Sequence, residues 1–440
     1  MRIRIRNLTF VALAVAIVAV DTALAGPTPA PPPSAASLAA AVQPAAKEPA
    51  SAAASGHDWP QWRGPDRNGA VPPGGPAIAD KWPQEGPAKL WQSEPVASGP
   101  PSGPAVGVSG AGLGSPVVAG GRVYLYANDG QDVFYCFDAA TGKTLWKKTF
   151  AAPVSGASNT VCVAGEKLYG LGGGGTAYCL NAKTGDEIWK TPGLGGYKCS
   201  SFLVAEGKAV VLGEVLTALN ADTGQVVWKQ EQIKSGKEGA NSPALWKSGG
   251  KAYVIQNELE RGVFCADLTD GRVVWKADGG SYSTACIEGD RMVLGVNDKI
   301  IAYRLSASGA EKLWTAQRGG DRASSPILYK DHVYTVAGSR AQCVELRTGK
   351  VLWDGSPGGG EISSPVLVND KMVGVWESGN ALVMIRATPE KYEMLGKVNV
   401  PGAHCTSPAV ADGKLYVRLK DAVACYDLVN PVPAAKPEKK

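Results

Sequence analysis

The stretch TGKTLW, Thr141 to Trp146, returns as TGKVLW at Thr348 to Trp353. Between these copies the same pattern, a glycine turn followed by an apolar residue and tryptophan, appears as TGDEIW (Trp189), TGQVVW (Trp228), TDGRVVW (Trp275) and SGAEKLW (Trp314). The six tryptophans are spaced by 43, 39, 47, 39 and 39 residues. A period near 40 built from short strands is the mark of a β-propeller with one blade per repeat.

Each unit reads as four strands. The first opens on a small polar pair, as in SPVV (Ser115), SPIL (Ser325), SPVL (Ser364) and SPAV (Ser407). A tight turn such as AGGR or ADGK leads to a second strand. A third follows, such as FYCFDA or AYCLNA, then the TG turn and the Trp strand. First strands fall near Ser115, Asn159, Ser200, Ser242, Ser283, Ser324, Ser363 and Ser407, which makes eight units. The seventh places Leu395 where Trp is expected, and the eighth stops at AVACYDL without a Trp strand. A spare Trp strand, PAKLWQ with Trp91, stands ahead of the first unit. The expected fold is therefore all-β: an eight-bladed propeller of four-stranded antiparallel blades over 88–428, its ring closed by an N-terminal strand that hides two edges. Trp91, Trp146, Trp189, Trp228, Trp275, Trp314 and Trp353 are read as blade-docking wedges, large and flat with one N–H for a backbone acceptor.

The ends differ in character. Residues 1–25 (MRIRIRNLTFVALAVAIVAVDTALA) join a basic start to an apolar run and small residues at Ala23 and Ala25, the layout of a cleaved signal peptide. The run is shorter than a membrane span needs, so no transmembrane segment is expected after cleavage. Residues 26–56 form an Ala/Pro-rich disordered linker, 57–87 a Trp-containing segment that packs on the propeller, and 429–440 a disordered tail. The net charge is +5, three units of which come from Arg2, Arg4 and Arg6. The remainder gives no strong attraction to nucleic acid or membrane. The expected product is an exported, soluble, monomeric protein of the periplasm or another extracytoplasmic space.

The half-motifs DAATGKTLW, NAKTGDEIW and NADTGQVVW resemble the docking motif of quinoprotein-type (PQQ-like) propellers. That group includes dehydrogenases that bind pyrroloquinoline quinone (PQQ) with Ca²⁺. It also includes non-enzymatic scaffolds of the outer-membrane protein assembly factor (BamB) family. The segment DWPQWRGPDRNG (58–69) is similar to the N-terminal signature of exported PQQ-like repeat proteins. The resemblance implies fold first. The dehydrogenases carry adjacent cysteines, and this chain has no Cys-Cys pair, no C-x-x-C-H haem motif, no G-x-S-x-G and no H-E-x-x-H. GGGGT (172–176) lies between strands and reads as a hairpin. The BamB-type lipoprotein is anchored through a cysteine just after its signal peptide, whereas here the first is Cys136.

The nine cysteines fall at repeat positions. Cys136, Cys179, Cys265 and Cys343 each lie six residues before a turn glycine, which separates them too widely for disulfides and suits buried thiols. Departures from the repeat gather in the loops leading into the first strands, at one mouth of the channel. The candidate mouth-binding residues are Lys198, Arg322, Glu361 and His404, with Tyr282 and Asn241 close by. Such a rim suits an anionic ligand or an acidic partner loop, with an internal ion pair as the plainer alternative. Trp59, Trp62 and Arg63 form a candidate interface, against the alternative that they pack onto the propeller. No catalytic set and no metal site is expected. The resulting expectation is a non-catalytic envelope scaffold that binds protein partners. The alternative is a PQQ-dependent dehydrogenase-like enzyme, or a small-molecule or glycan binder, using the mouth.

Overall fold

A computed structural model describes residues 57–98, 114–152, 159–195, 199–235, 241–259, 261–319, 323–360 and 363–431. The signal-like segment, the linker and residues 432–440 of the tail fall outside these residues, as do Lys198, Arg322 and Glu361. The described residues form eight four-stranded antiparallel sheets. Blade 1 is Val117–Ala119, Arg122–Asn128, Gln131–Asp138 and Thr144–Ala151. Blades 2 to 7 repeat this order, from Cys162–Ala164 to Met394–Asn399. Blade 8 takes Ala409–Ala411, Lys414–Arg418 and Val423–Asp427 from the C-terminal end. Its outer strand, Ala88–Gln92, comes from before blade 1, with Trp91 opposite Cys425. The ring is closed as the spare Trp91 strand implies.

The repeated turn is explained residue by residue. Asp138 Oδ1 accepts from the backbone N–H groups of Ala140 (3.1 Å) and Thr141 (2.8 Å). Asn181 and Asn220 do the same in blades 2 and 3. The glycine that follows is left-handed, at φ +73° for Gly142 and +74° for Gly185. After it the outer strand carries one extra residue, so that Trp146 lies opposite Cys136 while Thr144 lies opposite Phe137. The bulge turns Leu145 outward and aims the tryptophan at the next blade. All seven repeat tryptophans donate Nε1–H to a carbonyl of the following blade, at 2.6–3.2 Å. In five of the seven contacts the ring lies on that blade's turn glycine: a Cβ on Gly185 would stand 2.8 Å from Trp146. Gly185→Ala therefore meets both left-handed strain and a filled space. It is expected to cost about 2 kcal/mol, read as a lower urea midpoint with an unchanged m-value.

The structure shifts the seventh exception by one residue. Gly396, not Leu395, occupies the Trp register, opposite Met384. A Cβ on Gly396 would meet Trp82 at 2.8 Å, and Trp82 N–H donates to Leu395 O at 3.1 Å. Blade 8 has no turn joining its third and fourth strands, so no turn glycine awaits a tryptophan from blade 7. Trp82, from the segment before the propeller, covers this place instead.

The cysteines take their spacing from the same register. Cys136, Cys179, Cys265, Cys343 and Cys425 lie directly across from Trp146, Trp189, Trp275, Trp353 and Trp91. These five are free thiols, and burial pushes them up to about 12. They are small apolar side chains between sheets, protonated and unreactive at neutral pH.

Candidate functional site: a belted and plugged channel

The small polar pair opening each first strand has two jobs. The first residue ties to its own blade: Leu212 N–H donates to Ser200 Oγ (3.1 Å), and Ser363 Oγ donates to Val375 O (2.8 Å). The second residue ties blade to blade. Backbone N–H groups of Ser115, Thr160 and Ser201 donate to the hydroxyls of Thr160, Ser201 and Ser242. Those of Thr284, Ser325, Ser364 and Ser407 donate to Ser325, Ser364, Ser407 and Ser115. These seven bonds, 2.9–3.2 Å long, form a hydroxyl belt around the axis. At the remaining position, Thr284 Oγ1 accepts instead from Trp62 Nε1–H, at 3.0 Å.

Trp62 reaches the belt because residues 58–71 run inside the ring. At the face opposite the mouth, Asp58 Oδ2 accepts from Gly120 N–H (3.0 Å). Trp59 pairs with Val118 of blade 1 through two backbone bonds of 2.8 Å, and Pro60 O accepts from Val163 of blade 2. Arg67 donates to Phe202 O of blade 3 and to Pro243 O of blade 4 (2.6 Å). Arg63 donates to Ser325 O (3.3 Å) and Pro326 O (2.6 Å) of blade 6. Val71 and Gly69 then bond to Leu367 of blade 7, and the chain leaves toward Asn369 and Leu428. Together with Trp62 on blade 5, this one segment holds seven blades. Its tight path uses left-handed residues at Arg63, Gly64, Arg67 and Gly69. Gly69 lies so close beneath the Arg63 guanidinium that a Cβ there would stand 2.9 Å from Nη2.

Trp59 and Arg63, two of the candidate interface residues, are therefore buried at 2% and 3% exposure, and Trp62 is partly buried. Arg67 and Gln61 are part of the same device and were not singled out in the sequence, where nothing repeats to mark them. Burial lowers the pKa of both guanidiniums, that of Arg67 to about 10; arginine keeps its proton in folded proteins, so both are cations at neutral pH.

Of the candidate mouth residues, Asn241 is fully buried, and its amide donates to Asn257 O and Ser281 O, linking blade 4 to blade 5. Tyr282 and His404 are partly buried on loops leading into blades 5 and 8. His404 is buttressed from blade 7: a Cβ on Gly379 would stand 2.8 Å from its backbone nitrogen. GGGGT is the hairpin between Lys167–Leu171 and Ala177–Asn181. Its Gly173 N–H donates to Asp132 Oδ1 of blade 1 (2.8 Å). Asp132 also accepts from Tyr126 (2.6 Å), Asn128 (2.9 Å) and Tyr178 (3.3 Å), so this buried carboxylate is fully paired.

Ring, belt and docking turn define an eight-bladed β-propeller of the PQQ-like class. Within that class the chain belongs to the family described as outer membrane protein assembly factor BamB, whose model matches residues 84–192, 131–260 and 212–430. No curated protein matches the chain. Among solved structures, it is similar to the quinohemoprotein alcohol dehydrogenase of Comamonas testosteroni. That likeness has 13% identity and TM-score 0.59, over 87% of this chain and 82% of that one. The computationally designed Ika8 protein matches at 11% identity and TM-score 0.58, over 77% of this chain and 99% of that one. BamB from Moraxella catarrhalis matches at 16% identity and TM-score 0.43, over 70% and 80% of the two chains. An enzyme and a designed protein sharing one fold show that function here must be argued from the site.

Proposed function

We propose that this protein is an exported, non-catalytic scaffold of the cell envelope that binds protein partners through the loops at its channel mouth. The observation carrying this reading is the filled axis. Residues 58–71 leave a cavity of only about 10 Å³ beside the belt, room for one water, which supports a partner engaging the rim loops rather than entering the channel. Lys198, Arg322, Glu361, His404 and Tyr282 are the proposed contact set, suited to an acidic loop. Family membership adds support for a role in envelope or outer-membrane protein assembly.

The dehydrogenase reading needs a quinone and Ca²⁺. Among the described residues, the cavity beside the belt, about 10 Å³, is too small for a tricyclic quinone. Among the described residues, no group of three or more His, Cys, Asp or Glu is arranged to hold a cation. No step is therefore derived through that cofactor.

Crosslinking in envelope extracts, comparing wild type with Arg322→Ala/His404→Ala, tests the proposal. The expected result is a reproducible partner set lost in the double variant while the melting curve is kept. Retention of every partner by the variant refutes the rim assignment. Saturable binding of PQQ with Ca²⁺, accompanied by alcohol-dependent dye reduction, refutes the non-catalytic reading.

A further inference from the structure

Two buried positive charges, Arg63 and Arg67, have no counter-charge among the described residues. Arg63 uses four of its five N–H donors on the carbonyls of Arg67, Ser325, Asn68 and Pro326. Arg67 bonds to Gln61 Oε1, Pro243 O and Phe202 O. Among the described residues neither guanidinium has a carboxylate partner. The nearby thiols do not supply a charge: burial raises Cys286 and takes Cys162 to about 11. Carbonyl dipoles solvate a guanidinium but leave its charge in place, and buried charges in folded proteins are ordinarily paired.

The remaining axial cavity adjoins Arg63. Besides Trp62, it is lined by Ser115, Thr160, Ser364 and Ser407. Each of these hydroxyls accepts one belt N–H and keeps its own proton for donation. The cavity thus combines hydroxyl donors, an adjacent buried cation and the volume of about one water.

We propose that this cavity is a binding site for a monatomic anion, chloride or a heavier halide, held by the belt hydroxyls and countering Arg63 and Arg67. Carboxylate, phosphate and sulfate are excluded by size, since each brings three or more heavy atoms. A water fits but leaves both charges uncompensated. The site is independent of whatever binds at the mouth loops.

The test uses the purified protein in sodium gluconate, exchanged stepwise for sodium bromide at constant ionic strength. The melting temperature is expected to rise by about 1–3 °C and to saturate, as mass action requires. Exchange into sulfate should give no saturable rise. Bromide-soaked crystals should show an anomalous peak on the axis beside Arg63. Arg63→Gln should abolish the bromide-dependent rise, and if that variant does not fold, the wild-type anomalous map decides alone. A melting temperature indifferent to bromide, or anomalous peaks confined to surface lysines, overturns the proposal and leaves a water-filled cavity.

Discussion

Replacing Glu258 by glutamine is expected to raise the melting temperature by about 5 °C at pH 8 and to leave it unchanged near pH 4. Glu258 ends the second strand of blade 4 (Lys251–Glu258) and is 1% exposed. Neither carboxylate oxygen has a hydrogen-bond partner, nor does the amide of Gln256 two residues earlier. Desolvation by burial raises its pKa from 4.5 to about 8, against the weaker opposing effects of the neighbouring Gln256 amide and then of the Arg261 charge. The folded protein thus holds a proton that the unfolded chain releases above 4.5. Between pH 4.5 and 8 stability falls with rising pH, by about 1.4 kcal/mol per unit, and it levels off above the folded pKa. Glutamine removes this slope, worth on the order of 4 kcal/mol across the window. Melting curves of both proteins from pH 4 to 9 check it. Parallel pH profiles would mean that the carboxyl is ionised and paired at neutral pH. Asp132 shows the contrast: it is as deeply buried, but four donors hold it.

Arg67→Ala is expected to destabilise the propeller by about 3–5 kcal/mol and to make residues 57–75 a preferred protease site. The substitution strands Phe202 O and Pro243 O in the channel and removes the tie from residues 58–71 to blades 3 and 4. Arg67→Lys keeps the charge but cannot reach both carbonyls and Gln61 together, so it should fall between. Equilibrium urea unfolding with a timed trypsin digest separates the effects. A variant with wild-type stability and protection would show the segment to be a passenger and not a pin.

The fold was readable because propeller geometry repeats. Five blades present a turn glycine to a neighbour's tryptophan, so the demand is written into the chain at near-constant intervals. The unpaired strand at Trp91 and the missing tryptophan of the seventh unit betrayed how the ring closes. The one-residue misplacement at Leu395 came from a bulge, which shifts register without altering composition. The channel was less readable for the converse reason. Residues 58–71 occur once, and their partners are mostly backbone carbonyls, which leave no complementary residue type in the sequence. The small polar pairs were visible as strand starts, but their role as a belt appears only when eight blades are set side by side. Asn241 looked like a rim residue by position, yet its amide bridges two blades.

Closure by Ala88–Gln92 also sets a clock. This strand is made about 340 residues before Asp427, with which Ala88 pairs. At typical elongation rates the wait is roughly 20–70 s. Blades 1 to 7 can each complete their sheets as they emerge, since all four of their strands are consecutive. The opening strand cannot, and it must remain unpaired and free of other edges until the last blade arrives. Its pairing is the most distant strand pairing among the described residues and belongs late in folding, after a nearly complete but open arc has formed. Until then both Ala88–Gln92 and its partner Val423–Asp427 carry a bare edge, making this interval the one in which the nascent protein is most exposed to mispairing.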